Sequence, residues 1–140
     1  MIVDLNELAK VIHTRAKDKG FYDGEFNLSE KLMLIVSELG EAQESDRKNR
    51  RANLEFFLER TKSLNTQPVN PDKAVTMYSI EGGKILSFEK QIKDTLEDEL
   101  ADALIRILDL CGYLKIDIGK HVEIKMWYNS TRPEKHGKKY

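Results

Sequence analysis

Residues 96 to 111, LEDELADALIRILDLC, constrain the fold most. At about 100° per residue, Leu96, Leu100, Ala101, Ala103, Leu104, Ile105, Ile107, Leu108 and Cys111 cover most of the circumference of a helix. A helix that is apolar on most sides must be surrounded by other elements, so the chain has to supply further amphipathic helices. Glu99, Asp102, Arg106 and Asp109 remain as a narrow polar stripe, with Glu99 and Asp102 three residues apart.

The rest of the chain supplies such helices. Asp4 followed by Glu7 marks a helix start, and Leu5, Leu8, Ala9, Ile12 and Ala16 recur at helical spacing until Gly20, which predicts a helix over 4–19. Ser29 is the expected cap of a second helix carrying Leu32, Ile35, Val36, Leu39 and Ala42 and running to the charged SDRKNRR stretch. RANLEFFLERTK at 51–62 can continue as helix. Pro68, Pro71 and the Gly82–Gly83 pair make 63–84 the most irregular part, with VTMYSI a candidate short strand. Helical periodicity returns from about 88 to 114, and a shorter helix over about 117–128 precedes the basic tail NSTRPEKHGKKY. The expectation is an all-α bundle in a single domain, 1–140. A few amphipathic helices bury little alone, so a homodimer or larger homo-oligomer is expected.

Composition excludes several classes. With 40% hydrophobic and 34% charged residues the chain is globular, and a net charge of -1 gives no basic field for specific nucleic-acid binding. The single cysteine, Cys111, falls among leucines and isoleucines, which reads as a buried, reduced thiol in a cytoplasmic protein. MIVDLNELAK lacks a basic region followed by an apolar stretch, and no apolar run approaches membrane-spanning length, so no membrane partner is expected.

A second carboxylate pair sits in VSELGEAQE. Glu38 and Glu41 lie about 60° apart on one side of the second helix, with Leu34 between them, so that side is not simply a wet face. With 24 acidic residues in 140, chance alone places about four acidic pairs at this spacing. Context distinguishes these two: like charges one turn apart repel on a bare helix and become useful if a cation sits between them. Oxygen-only ligands favour magnesium, or manganese, over zinc. A di-iron bundle needs Glu-x-x-His pairs, but Lys10, Ile118 and Pro133 precede His13, His121 and His136 by three.

SELGEA at 37–42 and DELADALI at 98–105 resemble the Glu-x-x-Glu and Glu-x-x-Asp signatures of the MazG-like, all-α nucleoside triphosphate pyrophosphohydrolases. The resemblance implies that Glu38, Glu41, Glu99 and Asp102 hold magnesium against a triphosphate and that the products are pyrophosphate and a nucleoside monophosphate. KMWYNSTR resembles the family's basic element that meets the phosphates, which implies substrate-binding roles for Lys125, Asn129 and Arg132. The resemblance covers about 29–48 and 92–136. Many members have an acidic residue where this chain has Ser37. The 57 residues between Glu41 and Glu99 exceed the usual gap, so 45–90 looks like an insertion that bears on substrate identity.

Other residues read as structural. Tyr113, Met126 and Trp127 are expected to pack in the bundle, and Phe56, Phe57, Tyr78 and Phe88 border or occupy the insertion. Two rivals stand beside the pyrophosphohydrolase expectation: a non-catalytic helical interaction protein whose acids only solvate the bundle, and a related phosphohydrolase for another pyrophosphate-containing substrate.

Overall fold

The computed structural model describes residues 4–66 and 73–134, with side chains described outside 73–78. Six helices follow in order: α1 (Leu5–Asp18), α2 (Leu28–Arg47), α3 (Leu54–Asn65), α4 (Lys73–Gln91), α5 (Leu96–Leu114) and α6 (Ile118–Ser130). The all-α class holds among the described residues, and none of their helices is long and apolar enough to cross a membrane. VTMYSI is not a strand. It lies inside α4, whose 19 residues absorb Gly82 and Gly83 because Lys73 to Gln91 carries no proline to break the helical hydrogen bonds. The helical pattern expected from 88 onward is instead split between α4 and α5, and the break carries Asp94 at φ 57°.

Short polar side chains set the helix starts. Asp4 accepts hydrogen bonds from the N–H groups of Asn6 (2.9 Å) and Glu7 (3.2 Å). Asn53 accepts from Phe56 N at 3.1 Å, and Asp117 accepts from Lys120 N at 3.0 Å. For α2 the cap is Asn27 and not Ser29: the Asn27 side chain accepts from Glu30 N at 3.2 Å, so the helix begins one residue before the serine. At the start of α5, Thr95 Oγ1 accepts from Asp98 N.

The chain groups into two compact units, residues 1–32 with 104–140, and residues 33–103. In the first, Ala9, Leu108 and Cys111 form a buried cluster against which Leu8, Ile12 and Ile118 pack. Gly112 is what lets α1 come this close: a Cβ there would stand 2.7 Å from both the Ala9 carbonyl oxygen and His13 Cβ. Asn6 ties the start of α6 to α1, donating to Asp117 Oδ1 at 2.8 Å and accepting from Gly119 N at 3.0 Å. In the second unit α3 and α4 pack together. The Phe57 and Phe88 rings meet edge-on with centroids 6.2 Å apart, and Leu64 is buried against Gly83. The loop after α2 is held by backbone bonds from Asn53 N to Gln91 O and from Leu96 N to Arg50 O, which carry the chain past the insertion and into α5.

Candidate metal centre

Each of the two site helices turns a glutamate inward. The buried residues of α2 are Glu38, Ala42 and Ser45, spaced i, i+4, i+7 and therefore on one face. On α5, Glu99 and Ala103 are buried one turn apart. Small neighbours make this face possible, since alanine and serine leave room for a long carboxylate. Ser45 also donates to the Asp94 carbonyl at 3.1 Å, fixing the end of α2 to the entry of α5 within the unit that holds all four acids.

Glu38, Glu99 and Asp102 place one carboxylate oxygen each within 4.8 Å of one another. Glu38 is 7% exposed and Glu99 5%, while Asp102 is exposed. Burial is the main cause that lifts the Glu99 carboxyl above the ordinary glutamate range, followed by the charges of Glu41, Glu38, Asp102 and Asp98. Glu41 is exposed and does not belong to the converging trio, yet it acts on Glu99 more strongly than either trio partner does. Three of the four predicted acids converge, and Glu41 bears on the Glu99 carboxyl through its charge.

The neighbouring acids are occupied elsewhere, which separates site from scaffold in the run EDELAD. Glu97 accepts from Ala52 N at 2.9 Å and lies 3.7 Å from Arg51, and Asp98 accepts from Asp94 N at 3.0 Å. Both hold the loops around the start of α5. Ser37, beside Glu38 in sequence, is exposed.

The donor set fits a small hard cation. Oxygen ligands about 2.1 Å from one octahedral ion stand about 3 to 4.2 Å apart, so the trio, within 4.8 Å, would draw together to share one ion. Without a cation, each pair of fully ionised carboxylates at this separation repels by about 3 kcal/mol at an effective dielectric of about 20.

The expected phosphate-binding residues belong to the other unit. Lys125 and Asn129 lie on α6 and Arg132 just beyond it, with the Lys125 ammonium 5.2 Å and the Arg132 guanidinium 5.8 Å from the Tyr128 ring centroid. Met126 and Trp127, expected to pack, are instead 67% and 66% exposed, because α6 scatters its apolar residues around its axis and lays no stripe against α1. Tyr113, also expected to pack, is 36% exposed, although its ring stacks with those of Tyr22 and Phe26 at 5.1 and 4.0 Å. The side chain of Tyr78 lies outside the described residues, as does His136.

One polar cluster has no counterpart in the sequence reading. His13 Nδ1 lies 2.9 Å from Asp109 Oδ1, and the Tyr22 hydroxyl donates to Asp109 Oδ2 at 2.8 Å. Burial first, then the bond to Asp109, raises the Tyr22 hydroxyl above its ordinary range. Helical spacing puts Asp109 on one stripe with Glu99 and Asp102, but its partners are on α1 and the turn after it, where His13 faces the same way as the core residue Ala9, one turn earlier. Comparison with known protein families, curated proteins and solved structures gives no match.

Proposed function

We propose that this chain is a magnesium-dependent nucleoside or deoxynucleoside triphosphate pyrophosphohydrolase, acting as a homo-oligomer. The convergence of Glu38, Glu99 and Asp102 oxygens within 4.8 Å, with Glu41 pressing on Glu99, carries the reading. It is the arrangement that two carboxylate pairs on separate helices need in order to share a cation. The resemblance of SELGEA and DELADALI to MazG-like signatures supplies the reaction type.

In this reading Glu38, Glu99 and Asp102 hold the ion, and manganese can replace magnesium. Magnesium, when bound, supplies positive charge that neutralises phosphate oxygens. Water attacks the α-phosphorus, a new P–O bond forms, the bridging bond to the β-phosphate breaks, and pyrophosphate leaves with the bonding electrons. The proton that the water sheds goes to a carboxylate, and Glu41, beside Glu99 but outside the trio, is the group for it. The resemblance, not the arrangement of the units, is what assigns Lys125, Asn129 and Arg132 to the phosphates, the two cations by charge and the amide by a neutral hydrogen bond.

A panel of triphosphates with magnesium, assayed for both pyrophosphate and orthophosphate, tests the reading. Pyrophosphate with a nucleoside monophosphate supports it. Orthophosphate alone moves the cleavage site, and no turnover across the panel favours a non-catalytic interaction protein.

A further inference from the structure

Inside the α3–α4 hairpin, the side-chain oxygens Thr61 Oγ1 and Ser87 Oγ are buried and have no hydrogen-bond partner among the described residues. Ser87 is 7% exposed. A helical serine or threonine can satisfy itself by donating to the carbonyl one turn back, and neither does so here. Nor do the two hydroxyls bond to each other. A buried hydroxyl gives up its water on folding, so native interiors pair such groups with protein or with an ordered water.

Both oxygens lie in one layer of the hairpin. The residues of α3 that are not exposed are Phe57, Thr61 and Leu64, spaced i, i+4, i+7 along one side. On α4, Ile80, Gly83, Ser87 and Gln91 line one side in the same way. The Phe57–Phe88 ring contact lies on one flank of Thr61 and Ser87 and the Leu64–Gly83 contact on the other, so an uncharged polar layer is set between two apolar ones. All of these residues belong to the unit 33–103. Neither stripe carries a charged residue, which leaves an ion there without a counter-charge. Water is neutral, both donates and accepts, and is small enough to serve two hydroxyls at once.

We propose that one ordered water bridges Thr61 Oγ1 and Ser87 Oγ and ties α3 to α4 through this layer. The water is independent of the cation proposed for Glu38, Glu99 and Asp102. Its loss leaves two buried hydroxyls stranded, and the loss of either hydroxyl strands the other.

A crystal structure of the full chain tests the water itself, and urea unfolding of Thr61→Val, Ser87→Ala and the double variant tests what it contributes. The expected electron density is one water within about 3.2 Å of both oxygens. Each single substitution leaves the other hydroxyl with half a bridge, so each should raise the unfolding equilibrium constant about 5- to 30-fold. The double variant strands nothing, and its effect should fall clearly below the product of the two single effects. Ser63→Ala removes an exposed hydroxyl on α3, calibrates the serine-to-alanine change and should shift stability little. Hydroxyls turned to helix carbonyls, with no water between them, overturn the proposal. So do single variants as stable as wild type or more stable, because removing a hydroxyl that holds nothing relieves its burial cost. Losses that simply multiply, without coupling, show two separate environments and are equally contrary. If a single variant does not fold, the wild-type density decides.

Discussion

Glu99 is buried on α5, and burial first, then the charge of the exposed Glu41 on α2, raises its carboxyl above the ordinary glutamate range. Because the folded state raises the Glu99 carboxyl above its unfolded range, the metal-free folded protein binds more protons than the unfolded chain through that window. Stability from this group is therefore highest at the acid side and falls as pH rises from the ordinary glutamate range through the raised value. Metal-free wild type should lose stability over that interval, and Glu99→Gln should remove this component. Denaturant melts in chelator at several pH values measure it; identical pH slopes in the two proteins would contradict the electrostatic account of the site.

Asp109 serves α1 and the turn after it and lies outside the Glu38–Glu99–Asp102 cluster. Asp109→Ala leaves the His13 ring and the Tyr22 hydroxyl without their acceptor, at a cost of about 1 to 3 kcal/mol. A double-mutant cycle with His13→Ala should show coupling of about 0.5 to 3 kcal/mol. Additive losses would mean that the 2.9 Å contact contributes nothing specific.

Two glycine substitutions should have opposite signs. Gly112→Ala drives a Cβ to 2.7 Å from the Ala9 carbonyl, and since that neighbour is backbone, α1 and α5 must part, costing about 1 to 3 kcal/mol. Gly82→Ala meets nothing within 4 Å inside α4 and should stabilise by about 0.5 to 1 kcal/mol. Urea midpoints of the two variants check the ordering.

Lys125→Ala and Arg132→Ala should each weaken nucleotide binding by about 1.5 to 3 kcal/mol while leaving the helical content intact. Titration calorimetry with a non-hydrolysable triphosphate and magnesium gives the numbers, and unchanged affinity in both variants removes these residues from the site.

Periodicity made five of the six helices legible, because apolar spacing is a local property of each segment. The boundaries that failed were set by tertiary choices. Asn27 outcompetes Ser29 for the cap, and the Thr95 and Asp98 side chains stop and restart the chain where spacing alone ran through. α4 was misread because glycines and VTMYSI carry weak local preference, which long helical hydrogen bonding overrides. The acids at 38, 99 and 102 were legible as pairs one turn apart, but spacing could not separate Glu41 from the trio or assign Asp109 to His13. Both depend on which helices meet, and no single helix records that.

The central claim is that these acids form a cation site, and melting curves test it most directly. Wild type, Glu41→Gln and Glu99→Gln are melted with and without magnesium at one protein concentration. In metal-free buffer near neutral pH, both variants should be as stable as wild type or more so, because each removes a repelling charge. Magnesium should raise the wild-type melting temperature, and both variants should show a smaller rise and no turnover, since a ligand stabilises only the state that binds it. Equal and negligible magnesium shifts in all three proteins, with turnover intact in the variants, would contradict the account.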